Sequence, residues 1–357
     1  MIKLSDYVVK FIEGLGVRHV FMLPGGGAMH LNDSLGRSKK LYYICSLHEQ
    51  AAAIAADAYS QYTNNIGVAM VTTGPGGTNA LTGVAASWLD SIPVIIISGQ
   101  VKRADIVGTR KVRQMGFQEI DIVSLARPIT KYAVTITKPE EIRWHLEKAV
   151  YHARKGRPGP VWIDIPLDVQ ASMLDEKKLR GFVPERKKAE DALLKRKIAR
   201  AVGLLNRAKR PVILAGNGIR LAGALKAFRD LLAILKVPVL TTWKAADYLP
   251  ETHPLYIGRP GAVGQRGANF AQQNADLLIS IGARLDFGQT AYNHGLFARG
   301  ARKIIVDIDA AEIAKLDMNI DVPIQADAGL VIREMIGQCR NGFGKEKFTL
   351  WLSQCKA

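Results

Sequence analysis

Short apolar runs punctuate the chain and break off at glycine, proline or a polar residue. They read "IGVAMVTTGPGG", "IPVIIISG", "GPVWIDIP", "RPVILAGNG", "VPVLTTW", "ADLLISIG" and "RKIIVDID". Each is strand-length and rich in β-branched residues, and stretches with helical spacing separate them. Continuously apolar strands alternating with helices predict parallel sheets covered on both faces. The alternation runs to about Asp168, pauses in the charged "DEKKLRGFVPERKK", and resumes at "ALLKRKIARAVGLLNRAKRPVILAG". The pattern thus predicts an α/β chain of two consecutive three-layer domains with mainly parallel sheets. Their expected bounds are residues 1–175 and 190–340, with a linker over 176–189.

One helix departs from the usual amphipathic pattern. In "CSLHEQAAAIAADAYSQYT", residues 45–63, His48 and Glu49 stand immediately ahead of a run crowded with alanine. Ala51, Ala52, Ala53, Ala55, Ala56 and Ala58 let other backbones approach almost all round, which predicts a helix inside the protein or at an interface. Glu49 would be carried in beside it. Glycine-rich segments follow several strands: "VFMLPGGGAMHLNDSL", "VTTGPGGTNALTG", "LAGNGIR" and "ISIGARLDFGQ". In open parallel sheets ligands gather beyond the carboxyl ends of the strands, where glycine admits a ligand to the backbone. The same glycines would equally serve tight strand-to-helix turns. Neither GPGGTN nor GNG is a GxGxxG, and no GxxxxGK[ST] occurs, so a Walker site is excluded.

Composition narrows the classes. The 357 residues, 48% hydrophobic and 23% charged, suit two globular domains rather than a disordered chain. Cys45, Cys339 and Cys355 lie far apart without a CxxC pair, which argues against a disulfide framework or zinc site and for a reducing compartment. None of the seven histidines pairs at metal-ligand spacing. His48 reads as an orienting neighbour or a satisfied interior histidine. No segment approaches the roughly 20 apolar residues of a membrane span, and a cytoplasmic protein is expected. The net charge of +17 concentrates in residues 176–210 and near residue 110. The first stretch contains Pro184 and then an amphipathic run from Glu190 (Leu193, Leu194, Ile198, Val202, Leu205), a linker followed by a solvated helix. No nucleic-acid docking motif accompanies the charge, so nucleic acid is not expected as a partner.

Taken together, the motifs are more specific than any one of them. "HVFMLPGGGAMHLNDSL", "LHEQAAAIAADAY", "VTTGPGGTNALTGVAASWLDSIPVIIISGQV", "FQEIDIV", "PITKYAV" and "GRPGPVWIDIPLDVQ" occur in one order. This resembles the acetolactate synthase-like family of thiamin-diphosphate enzymes, which decarboxylate 2-keto acids and join the fragment to a carbonyl. The resemblance implies a thiamin-diphosphate-binding fold over 1–175 and a Rossmann-like central domain over 190–340. By position, Glu49 is then the carboxylate at N1′ of the cofactor's aminopyrimidine, where proton exchange prepares the 4′ nitrogen to remove the thiazolium C2 proton. Pro24, Gly25 and Gly26 would lie along the aminopyrimidine, Gly74, Pro75 and Asn79 would shape the pocket floor, and Gln118 would face the reacting centre. For these positions turn-making stands beside direct contact.

The family's central domain binds FAD in acetolactate synthases. The matching positions are Arg157, Gly216, Thr242, Trp243, Gly264, Gln265 and Arg266, then Gly282, Ala283, Arg284, Leu285 and Asp286, and finally Asp307 and Asp327. "FGQTAYN" after "GARLD" departs from the flavin enzymes and leaves FAD, another nucleotide or no ligand open. Complete members hold Mg2+ and the diphosphate through a GDG…N motif in a third domain. No GDG occurs in this sequence, and 341–357 would begin the linker to that domain. The resemblance therefore implies a truncated chain or a subunit needing a separate diphosphate-binding partner, with little activity alone. A noncatalytic regulatory or assembly subunit is one alternative, and a nucleotide- or flavin-binding oxidoreductase built on the central domain is another. Pyruvate is the implied donor, with a second pyruvate or a keto sugar of surface-sugar biosynthesis as acceptor, and a homodimer or tetramer the implied assembly.

Overall fold

The computed structural model describes residues 1–184, 191–339 and 347–357. It divides into two compact units, Met1–Arg186 and Lys187–Ala357. Residues 185–189 of the expected linker, Glu190, and 340–346 lie outside the described residues.

The first unit opens with a short strand, β1 (Ile2–Lys3). Its main sheet is built from β2 (His19–Met22), β3 (Tyr42–Cys45), β4 (Gly67–Val71), β5 (Val94–Gln100), β6 (Tyr132–Thr135) and β7 (Val161–Pro166). The order across the sheet is β3-β2-β4-β5-β7-β6, parallel throughout. A last strand, β8 (Met173–Leu174), pairs antiparallel with β1. Side chains alternate between two apolar layers. Val68, Met70, Ile95, Ile97 and Ile163 face one cluster, while Ala69, Val71, Val94, Ile96 and Trp162 face the other. On the second face lie the helices Glu49–Thr63 and Pro75–Asp90, whose alanines and glycines bring them close to the sheet. Leu179 still belongs to this unit's core, within the stretch expected as linker.

The second unit holds β9 (Pro211–Ala215), β10 (Val239–Thr241), β11 (Tyr256–Gly258), β12 (Leu277–Ile281), β13 (Arg302–Asp307) and β14 (Val322–Gln325). They form one parallel sheet in the order β11-β10-β9-β12-β13-β14. Both layers are again filled: Ile213, Val239 and Ile279 face one cluster, Val212, Leu240 and Leu278 the other. The expected solvated helix is present at Asp191–Arg207, with Ile198, Val202 and Leu205 buried. Within 341–357, expected to begin a linker to a further domain, Thr349–Lys356 is a helix packed on this unit: Trp351 is buried among the second cluster and its Nε1 donates to Pro211 O at 3.0 Å.

All seven apolar runs named from the sequence are strands. In each unit the strand order reverses direction beside its first long strand, between β2 and β4 and between β9 and β12. At such switch points the loops leaving two neighbouring strands diverge and open a crevice.

Candidate active site

The loops at the first unit's switch point carry the residues singled out from the sequence. After β2 the chain passes through Pro24 and Gly25 into a short 3-10 turn, Gly26–Ala28. Two buried or half-buried amides hold this loop from behind. Asn32 Nδ2 donates to Gly25 O at 3.2 Å, and Gln170 Nε2 donates to Gly27 O at 2.7 Å and to Ile165 O. After β4 the loop reaches Gly74, whose φ of 60° only glycine adopts without strain, and Pro75 takes the first position of the next helix.

The glycines here serve mainly to bring loops together. A Cβ on Gly25 would fall 2.5 Å from Thr72 side-chain atoms, one on Gly27 1.8 Å from Thr73 Oγ1, and one on Gly74 2.1 Å from Gln118 O. Gly26 differs, since a Cβ there would meet nothing within 4 Å. Along the Pro24–Gly27 loop it is the glycine that borders open space. Gln118 is brought to the same place by its backbone, which presses on Gly74 and takes a φ of 58°, a strained value for a non-glycine residue.

Glu49 begins its helix beside this crevice and is buried, 6% exposed. Asn79 Nδ2 donates to its Oε2 at 2.9 Å. Among the described residues no partner is recorded for Oε1, which lies 3.5 Å from where a Gly76 Cβ would be. One carboxylate oxygen is thus fixed by the protein and the other is not. The rest of the helix is less enclosed than its alanines suggest. Ala52, Ala53 and Ala56 are buried, but Ala51 and Ala58 are exposed, and Ile54 and Tyr62 face outward. His48 is not interior: it is exposed, and its Nδ1 accepts from Gln50 N as the helix N-cap.

In the second unit every matching residue follows the carboxyl end of a strand. Gly216 follows β9, Thr242 and Trp243 follow β10, Gly264 to Arg266 follow β11, and Gly282 to Asp286 follow β12. Asp307 ends β13 and Asp327 follows β14. Again glycines fit loop to loop. A Cβ on Gly216 would lie 2.2 Å from Ala283 Cα, and one on Gly282, where φ is 60°, 2.7 Å from Gly218 Cα. Gly264 similarly presses on Arg259 O. Arg284 and Leu285 have positive φ, and Arg284 pairs with Asp286 at 3.1 Å. Gln265 Oε1 accepts from Arg259 N, Arg266 lies over the Phe270 ring, and Trp243 is 63% exposed. Asp307 Oδ1 accepts from Asp309 N, and Asp327 Oδ1 from Leu330 N. Arg157 belongs to the first unit, on the entry edge of its sheet, where its Nε donates to Ser91 Oγ at 2.8 Å.

Residues 2–125 match the family described as "Thiamine pyrophosphate enzyme, N-terminal TPP binding domain", and residues 198–335 match "Thiamine pyrophosphate enzyme, central domain". The chain belongs to the thiamine pyrophosphate enzymes. Its curated relatives include the "Probable acetolactate synthase large subunit" of Methanocaldococcus jannaschii, 39% identical over 340 residues, covering 93% of this chain and 55% of that protein. The "Acetolactate synthase large subunit" of Corynebacterium glutamicum is 38% identical, covering 92% and 51%. The "Acetolactate synthase isozyme 1 large subunit" of Escherichia coli is 37% identical, covering 93% and 57%. The chain thus spans about half the length of the curated relatives it matches.

Two supporting residues give no local sign of their role in the sequence. Asn32 and Gln170 lie 7 and 143 residues from the glycines they hold, and a lone amide in a helix carries no signal of such a partner. Among the described residues no helix is long and apolar enough to cross a membrane.

Proposed function

We propose that this chain supplies the aminopyrimidine-binding half of a thiamin-diphosphate site that decarboxylates a 2-keto acid and transfers the fragment to a carbonyl acceptor. The observation that carries the reading is the buried carboxylate of Glu49, with one oxygen tied to Asn79 and the other unengaged beside the switch-point loops. The residues fit the group: a flat ring can lie against the open side of Gly26, and Glu49 Oε1 can meet a ring nitrogen. When bound, thiamin diphosphate supplies the electron sink that allows CO2 to leave. Glu49 holds or releases a proton at Oε1, and Asn79 keeps the carboxylate turned toward the crevice. Gln118, held at the rim by Gly74, meets the substrate side.

Residues outside 1–357 would anchor the diphosphate and Mg2+, on a continuation of this chain or on another polypeptide. The chain by itself is then nearly inactive and works in a dimer or larger assembly. Pyruvate is the donor that the resemblance favours. The second unit's crevice is the place for a nucleotide, FAD among the candidates, and no chemical step is routed through it.

The test uses the complete assembly with pyruvate. Glu49→Gln keeps the side chain's shape and removes its proton exchange, and CO2 release should fall about 10²–10⁴-fold. An unchanged rate would reduce the chain to an assembly role.

A further inference from the structure

The helix Glu49–Thr63 carries a second buried carboxylate that the chemistry above does not use. Asp57 is 8% exposed, and its Oδ2 accepts from Ser87 Oγ at 2.7 Å, while its Oδ1 accepts from Gln61 Nε2. Ser87 lies on the helix Pro75–Asp90, which also carries Asn79. The pairs Glu49–Asn79 and Asp57–Ser87 share one sequence separation, 30 residues. Midway between them, at the same separation, Ala53 meets Gly83. A Cβ on Gly83 would lie 2.5 Å from Ala53 Cβ and 3.0 Å from Ile54 N, so at this point the helices touch with almost nothing between them.

Three contacts at intervals of four residues fall on one face of each helix, about 6 Å apart along the axis. A constant offset means that the helices run parallel and in fixed register. The first helix is held from a second side as well, because a Cβ on Gly67, at the start of β4, would lie 2.0 Å from Ala56 O. With glycine at both seats the helix can neither slide nor lift without losing the contacts.

We propose that this register sets the position of the Glu49 carboxylate, and that Gly83, Asp57 and Ser87 are positioning residues for it. The crossing at Ala53 and Gly83 fixes the spacing of the helices. The Asp57–Ser87 bond, two turns further along, fixes their axial offset. Asn79 then reaches Glu49 Oε2 without either side chain being forced. The register stands on the protein alone; its bearing on catalysis rests on the thiamin reading above.

Gly83→Ala is the decisive variant, read in a crystal structure of the chain. The added methyl must push the helices apart, and the Asn79–Glu49 bond should lengthen from 2.9 Å to beyond hydrogen-bond reach, about 3.5 Å. The exchange variant Ala53→Gly/Gly83→Ala removes the 2.5 Å clash, leaves the new methyl 3.0 Å from Ile54 N, and should bring the bond most of the way back. An unaltered 2.9 Å bond in Gly83→Ala overturns the proposal. So does a folded exchange variant in which the bond is as long as in Gly83→Ala. If Gly83→Ala alone does not fold, a folded exchange variant with the bond in place supports the crossing as the determinant. In the complete assembly, Gly83→Ala should lower thiamin-dependent turnover about 10²-fold and the exchange should restore most of it. Wild-type protein without any thiamin-dependent turnover would defeat the functional reading, while the bond length would still decide the register.

Discussion

Among the described residues the first unit buries three carboxylates, Glu49, Asp57 and Asp164, whereas the second unit buries none and instead sinks the Lys303 ammonium. Both units build the same kind of parallel sheet with a switch point in its strand order. They differ in what is placed there. Burying a charge is costly unless it is paired or changes protonation, so a unit that does so three times has been shaped by more than packing. Of these three, Asp57 and Asp164 accept hydrogen bonds from hydroxyls and amides at both oxygens, whereas Glu49 accepts at Oε2 alone. In the second unit Trp243 is exposed and Arg284 and Asp286 are half-buried, while Thr241, Gln289 and Thr290 are buried.

The contrast predicts its largest effect in the second unit. Gly216 is wedged between Ala283 and Gly282 O, both backbone, so the space cannot be recovered by turning a side chain. Gly216→Val should cost more than about 5 kcal/mol and abolish the cooperative unfolding of that unit. Denaturation followed by tryptophan fluorescence would show the first unit's transition surviving. A variant that keeps both transitions would show that the loops can separate, and hence that the second crevice is more open than its glycines indicate.

A smaller effect distinguishes the first unit by pH. Complete burial pushes the Asp164 carboxyl up to about 7, opposed by hydrogen bonds from Ser98, Thr135 and Gln100 and reinforced by the charge of Asp121. Its folded value lies above the unfolded one, so the folded state keeps a proton that the unfolded chain has lost. The stabilisation is complete below the ordinary carboxylate range, declines as pH rises, and is gone above about 7. The loss is on the order of 4 kcal/mol from three pH units. Asp164→Asn should flatten the stability profile between pH 4 and 7. A profile with the wild-type slope in that variant would assign the pH dependence elsewhere.

Much of this was legible before any coordinates. The seven apolar runs are strands because β-branched residues bounded by glycine and proline leave little else for them to be. Glu49 was visible because a carboxylate opening an alanine-rich helix lacks an ordinary surface role. What stayed hidden is what depends on long-range register. Ser98 and Asp164 are 66 residues apart, and Asp57 and Ser87 are 30 apart. Nothing local distinguishes such a serine from one on the surface. The helix around Trp351 read as a linker because its burial is set by strands 140 residues earlier in the chain. Glycine motifs also looked alike in one dimension, although most make room for a neighbouring loop.

Gly26 is where that last ambiguity can be resolved, with the smallest effect on stability. Its neighbours Gly25 and Gly27 would clash with Thr72 and Thr73 if given a side chain, and alanine at either should destabilise the first unit. At Gly26 a Cβ meets nothing within 4 Å, and the backbone is not in the left-handed region. Gly26→Ala should therefore change the folding free energy by no more than about 0.5 kcal/mol, or raise it slightly by restricting the unfolded chain. The space beside Gly26 is free for a ligand. Thiamin-diphosphate affinity of the complete assembly should then fall about tenfold in Gly26→Ala while the unfolding midpoint stays in place. A destabilised variant would return Gly26 to the same role as its neighbours. A stable variant with undiminished affinity would show that the cofactor does not lie along Pro24–Gly26, even if Glu49 still reaches it.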